Sequence, residues 1–374
     1  MVITEVTDKP TKKAFLNTAR IIYKNDNNWV CPLDVDIEAV FDPQKNNFHQ
    51  FGTCTRWVLR DDKGTLIGRI AAFINNKKAF HFEQPTGGVG FFECINNKEA
   101  AFMLFDTAKK WLENKGMQAM DGPINFGEND TFWGLLVEGF NPPSYGMNYN
   151  PSYYRGFFED YGFKTLYEQI TNHIDVNKPF PERFYKIAKW VTQKPGYEFK
   201  HLEAKKIEQF AADFIQIYND AWADFENFVP ITYETLLESF IKMKPIMDEN
   251  LIWFAYVNGE PASFTIVLPD ANQMLKPLKG KLDLIGKLTF LYRKWKGVTR
   301  MRAIVMGTKK KFQNHGLESA QFIKLGEYVL PLKQYDVLEL SWVGDFNEKM
   351  VAMHAAMGAT FANRHLTMRY IFNN

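Results

Sequence analysis

The chain has 374 residues, 46% hydrophobic and 24% charged, an ordinary globular composition that excludes a disordered chain and, at about 150 residues per domain, predicts two domains. Lys and Arg number 45 against 43 Asp and Glu, a net charge of +2, too balanced for a general polyanion binder, so nucleic acid is not the expected partner. Cys31, Cys54 and Cys94 lack zinc or disulfide spacing, and no two of the 7 histidines fall at i, i+4, so neither a metal site nor a disulfide scaffold is expected. The opening MVITEVTDKPTKKAFL lacks the apolar core of a leader, and no apolar run approaches membrane-spanning length; the expectation is a soluble, cytoplasmic protein.

In chain order, WVLRDDKGTLIGRIAAF reads as a hairpin turning at Asp62-Lys63-Gly64. A strand over Val89 to Ile95 follows, then a helix over Lys98 to Asn114, in which Ala101, Leu104, Phe105, Ala108, Trp111 and Leu112 recur at helical spacing, and then the stretch MQAMDGPINF as strand or loop. The order then repeats: a hairpin, LIWFAYVNGEPASFTIVL, turning at Asn258-Gly259; a strand over Arg302 to Met306; a turn through Gly316; a helix over Glu318 to Tyr328; and a strand over Val337 to Trp342. Each copy closes on a short helix that delivers a glycine, Asn150 leading to Gly162 and Asn347 to Gly358. The connector Asn177-Lys178-Pro179-Phe180-Pro181 separates 1–178 from 179–374. Lys276 to Arg302 interleaves basic residues with leucines and aromatics, as an amphipathic insert would.

Chemistry concentrates in Met306-Gly307-Thr308-Lys309-Lys310-Lys311-Phe312-Gln313-Asn314-His315-Gly316-Leu317-Glu318, a strand-turn-helix junction. Such a junction aims free backbone N–H groups and the positive end of a helix dipole at an anion, and three lysines add charge. Neither P-loop nor dinucleotide spacing is present.

The segment resembles the GNAT superfamily of acyl-CoA-dependent N-acyltransferases, whose signature places Gln or Arg, then Gly, then a small residue where Gln313, Gly316 and Glu318 stand. The resemblance implies a tandem α/β (α+β) fold of two GNAT-like domains, each a mostly antiparallel sheet with flanking helices. It implies an acetyl-CoA or longer acyl-CoA co-substrate, its pyrophosphate cradled by Gln313, Asn314, His315, Gly316 and Leu317 and its pantetheine arm along the strand ending at Gly307, with Lys311 and Asn347 nearby. Glu318 departs from the family's small residue. His354 takes the place of the tyrosine that often protonates the departing thiolate, and as that acid it would need a raised pKa, with Asp345 or the CoA phosphates as the cause. Glu318, Asp345 or a carboxylate-held water are the candidate bases. The first copy has Asn96 to Ala100 in place of the glycine turn and Phe158 in place of the acid, which implies a lost cofactor site. The expected activity is acyl transfer to a small-molecule amine. The alternatives are a non-catalytic binder of CoA or another anion on this fold, and a Fem-like aminoacyltransferase, whose double arrangement is similar.

Overall fold

The computed structural model describes residues 1–224 and 230–372. The first half runs β1 (Val2–Glu5), α1 (Lys9–Ile22), α2 (Asp34–Val40), β2 (Gly52–Arg60), β3 (Leu66–Asn75), β4 (Thr86–Cys94), α3 (Lys98–Glu113), β5 (Ala119–Gly122), β6 (Leu135–Glu138), α4 (Tyr154–Tyr161) and β7 (Lys164–Asp175). The second runs α5 (Glu182–Thr192), β8 (Tyr197–His201), α6 (Ile207–Trp222), α7 (Tyr233–Met243), β9 (Ile252–Val257), β10 (Glu260–Pro269), α8 (Ala271–Leu275), α9 (Leu284–Lys296), β11 (Arg300–Thr308), α10 (Leu317–Leu332), β12 (Val337–Gly344), α11 (Glu348–Ala356) and β13 (Thr360–Ile371). Both expected hairpins form. Asn258 and Gly259 both take positive φ, as a tight turn matching the twist of its strands requires. Gly162 and Gly358 end α4 and α11 in the left-handed region, which halts a helix without a Cβ clash.

All the strands join one mostly antiparallel sheet, ordered β1-β2-β3-β4-β5-β13-β7-β12-β11-β10-β9-β8, with β6 beside β13. The order is a palindrome: exchanging β1 to β5 and β7 for β8 to β12 and β13 reproduces it in reverse. The two described parallel pairings, β4 with β5 and β11 with β12, occupy equivalent places. The halves are therefore repeats, and they are interlocked. The last strand of each half leaves it: β7 pairs with β12 and β13 with β5, and the two meet at the centre.

Helix α3 buries Leu104, Phe105, Ala108 and Leu112 against Ile70, Phe92 and Phe158. In the second half, α10 buries Phe322, Ile323, Leu325 and Val329 among β9 to β12 and α5. Each of these large side chains contributes about 1.5–3 kcal/mol of apolar burial. Of the basic residues flanking α9, Arg300, Arg302 and Lys276 have partners within the chain. Arg300 pairs with Asp270 at 2.7 Å, Arg302 with Glu339 at 3.4 Å, and Lys276 donates to the Asn27 carbonyl at 2.6 Å.

The exchange of closing strands predicts that the sequence boundary near residue 178 is not a folding boundary. Segments 1–178 and 179–374, expressed separately, should each lack a cooperative thermal transition, whereas co-expression should yield a 1:1 complex by size-exclusion chromatography. A cooperative melt of either segment alone would contradict this.

Candidate active site

Parallel strands β4 and β5 are paired only from Thr86 to Gly88. Beyond that they separate, because β4 carries a bulge: Arg69 pairs with Glu93 and Ala71 with Gly90, so Phe91 and Phe92 together face the single Ile70. Phe91 sits at φ 49 within this bulge. The separation opens a narrow cavity with a volume of about 60 Å³. Its walls come from Phe91, Phe92, Phe132 and Leu135, from the α1–α2 segment through Trp29 and Leu33, and from α8 of the second half through Asn272 and Leu275.

Three ionisable side chains that the sequence reading did not single out converge there. Glu93, 7% exposed, lies 3.4 Å from the Arg69 guanidinium. The Tyr154 hydroxyl donates to Glu93 Oε2 at 2.9 Å and accepts from the Cys94 amide at 2.7 Å. Arg69 Nη1 donates to the Phe15 carbonyl at 2.9 Å, while its Nε has no hydrogen-bond partner among the described residues. Burial pushes the Glu93 carboxyl above its ordinary value against the opposing pull of Arg69, and burial likewise pushes the Tyr154 hydroxyl up. The result is a carboxylate of raised basicity, hydrogen-bonded to a tyrosine, at the wall of an aromatic cavity, which is the arrangement expected of a proton-transfer site.

The cleft of the second half is built differently. Strands β11 and β12 pair from Arg300 to Ala303 and then part at a bulge between Ile266 and Val267 of the neighbouring β10 register. Ser341 Oγ donates to the carbonyls of Ala303 and Ile304 at the fork. The β11 residues corresponding to Glu93, Met306 and Gly307, carry no ionisable group. Gln313, Asn314, His315 and Gly316 form the turn into α10, and Leu317 is its buried first residue. Gly316 caps α10 at φ 77 and has no side chain to occupy the first-turn amides. In contrast, Asn97 caps α3 by accepting from the Ala100 amide at 2.8 Å, so the equivalent anion position of the first half is filled by its own side chain. The turn at Gly316 thus leaves the first-turn amides of α10 without a side-chain cap, whereas Asn97 caps those of α3.

The other residues singled out from the sequence lie on elements of the second half. Lys311 and Lys309 are paired with Glu260 at 2.6 and 3.1 Å, and His315 contacts the Tyr197 hydroxyl at 2.8 Å. Glu318 accepts from the Thr308 hydroxyl. Asp345 lies exposed after β12, and Asn347 caps α11 by accepting from the Met350 amide at 3.2 Å. His354 is buried on α11, its Nδ1 accepting from Asn172 at 3.1 Å. The raised pKa required of a protonated His354 is not found: burial pushes it down to about 4, so the ring is neutral at pH 7. Strand directions keep the two clefts apart. Between β5 and β12 lie three antiparallel pairings, so β5 and β12 run oppositely and their clefts open at opposite ends of the sheet.

The palindromic sheet with two splayed parallel pairs is the tandem GNAT fold. A tandem GNAT protein from the clavulanic acid biosynthesis pathway superposes with a TM-score of 0.59 at 12% identity, covering 100% of this chain and 99% of the other. A GCN5-related glucosamine N-acetyltransferase region of a fungal β-N-acetylglucosaminidase gives 0.56 at 12%, covering 99% of this chain and 38% of that one. No protein-family model matches the chain. In sequence it is 30% identical over 358 residues to the bacterial ceramide synthase of Caulobacter vibrioides, covering 93% of this chain and 91% of that protein. It is 25% identical to protein YghO of Escherichia coli, covering 94% and 90%. The chain belongs to the family of that ceramide synthase.

Two stability predictions follow from the buried groups. His354 and His365 are both pushed down to about 4 by burial from an ordinary 6.5. The unfolded chain therefore binds their protons at higher pH than the folded one. Their contribution is complete above about pH 6.5 and is lost as pH falls toward 4, on the order of 3 kcal/mol each. Urea unfolding between these limits should show this slope, and His354→Gln should flatten it. Arg69→Met should cost about 3–5 kcal/mol by leaving Glu93 unpaired, and the double variant Arg69→Met/Glu93→Gln should recover part of that loss.

Proposed function

We propose that the protein is an N-acyltransferase that moves a long acyl group from a CoA thioester to the amine of a long-chain amino alcohol, with the transfer in the cavity between β4 and β5. The observation that carries this is the buried Glu93–Tyr154 pair within an aromatic cavity, and the name of the ceramide synthase relative supports an amine of this class. Glu93 takes a proton from the substrate ammonium, and its raised pKa strengthens it as a base. The freed nitrogen attacks the thioester carbonyl, the C–N bond forms, the C–S bond breaks, and the nitrogen releases its second proton to solvent to leave the neutral amide. The thiolate takes the Tyr154 proton as Tyr154 recovers one from Glu93. Arg69 keeps Glu93 ionised between turnovers, and the backbone amides of the Phe91–Phe92 bulge are positioned to receive the carbonyl oxygen. No covalent intermediate on the protein is needed, because holding the two substrates in line supplies much of the rate.

A second reading is favoured by the uncapped N-terminus of α10. Here CoA binds the second half, its pyrophosphate on the amides from Gln313 to Leu317 and its pantetheine arm along β11 toward Gly307, with Lys311 and Asn347 alongside. His354, Glu318 and Asp345 are then the groups that meet the reacting atoms. Because the clefts lie at opposite ends of the sheet, one experiment separates the readings. Thiol release and amide product are followed with long-chain acyl-CoA and a long-chain 2-amino alcohol. Under the first reading Glu93→Gln lowers kcat by roughly 10²- to 10⁴-fold in protein that is still folded at the assay temperature, and Gly316→Val leaves the rate near that of the parent. Activity of the parent should rise with pH through an acid limb set above the ordinary carboxylate range by the buried Glu93. Full activity of Glu93→Gln with loss in Gly316→Val would transfer the chemistry to the second half.

A further inference from the structure

Helix α9 points its apolar side at solvent. Consecutive residues of a helix step by about 100°, so Leu284, Ile285, Leu288, Leu291, Tyr292 and Trp295 fall in one arc of roughly 120°. All six are exposed, Leu284 at 73%, Ile285 at 75% and Trp295 at 82%. The opposite side carries Gly286, which is buried, and Phe290, which packs into the second-half core. The helix is thus held by its narrow inner side and leaves its broad apolar side unpartnered. No other described helix exposes an apolar stripe of this length.

Charge identifies what covers it. Lys287 and Lys294 flank the stripe on one side, Lys294 with its Nζ donating to the Pro245 carbonyl at 2.6 Å, and Lys296 on the other; Arg293 lies on the same helix and Lys281 just before it. No acidic residue occurs from Leu284 to Lys296, and the Asp283 carboxylate that precedes them is engaged in capping the Gly286 amide at 2.9 Å. An apolar stripe with tyrosine and tryptophan, bordered on both sides by lysines, is the pattern of a helix lying in the headgroup region of an anionic bilayer. The 13 residues of α9 form a helix about 20 Å long, and none of the described helices is long and apolar enough to cross a membrane. We infer that α9 docks the protein on an anionic lipid surface, lying in the interface without spanning it.

The position of α9 gives this docking a use. It packs on α8, and α8 lines the cavity between β4 and β5 through Asn272 and Leu275. Docking by α9 therefore sets the bilayer beside the wall of that cavity. The inference rests on the surface of α9 alone and stands whether or not the cavity is the reaction centre.

The test uses the full chain with phosphatidylcholine vesicles prepared with and without phosphatidylglycerol. The parent should co-sediment with the phosphatidylglycerol vesicles, progressively less as salt is raised, and only weakly with phosphatidylcholine alone. Leu288→Glu/Trp295→Glu should weaken binding at least tenfold, and so should Lys287→Glu/Lys294→Glu. Both pairs lie on the exposed side, and unchanged melting temperatures would confirm their fold. Acyl transfer to detergent-dispersed substrate should be the same in the variants as in the parent, which keeps this test separate from that of the transfer chemistry. Absence of binding to phosphatidylglycerol vesicles, or equal binding by the Leu288→Glu/Trp295→Glu variant, would overturn the inference. So would a parent dimer in solution that this variant dissociates, since the stripe would then cover a second copy of the chain.

Discussion

The antiparallel pairing of β7 with β13 at the middle of the sheet sets the relation between everything else. It joins the two repeats edge to edge, and it fixes their strands in opposite directions. Each parallel pair in a sheet requires a helical crossover, supplied here by α3 and α10, and those crossovers must leave from opposite ends of the molecule. A single ligand therefore cannot bridge both clefts. The second half contributes a wall of the first cavity through α8, but not the turn at Gly316.

Seen in that frame, the halves have diverged in complementary ways. The first keeps a carboxylate and a tyrosine at its fork and fills its helix cap with Asn97. The second keeps an open cap at Gly316 but has Met306 and Gly307 where the carboxylate would be. Burial separates the electrostatics of the two as well. Glu93 is pushed toward higher pKa by the cavity, whereas Glu339, equally buried on β12, is held near 2 because the His173 hydrogen bond and the Arg302 charge outweigh its desolvation. The same residue type, equally removed from water, is a prospective base in one half and a fixed anion in the other.

The repeat, both hairpins and helices α3 and α10 were legible because each is written locally, in a turn pair such as Asn258-Gly259 or in helical spacing. The exchange of β7 and β13 was not, since a strand's own alternation does not say which edge it joins. Glu93 was passed over as one charge inside GGVGFFEC. The available signal was that Arg69 also interrupts an apolar strand, LIGRIAAF, and that paired charges in buried strands report a built polar centre. The basic amphipathic character of Lys276 to Arg302 was evident, but periodicity cannot give the direction of a helix, and the apolar side of α9 proved to face outward. The turn at Gly316 was legible from the motif; the downward shift of His354 was not, because it depends on burial that only the packed fold creates.

The placement of β13 has a consequence for synthesis. It is synthesised long after β5, whose edge it closes. At about 5–20 residues per second, the first repeat waits on the order of ten seconds or more with that edge open and its cavity wall from α8 not yet in place. An exposed strand edge is a template for pairing with other chains. The first repeat is thus vulnerable to aggregation until β13 emerges, and a chain cut short before β13 loses the strand that closes the first repeat.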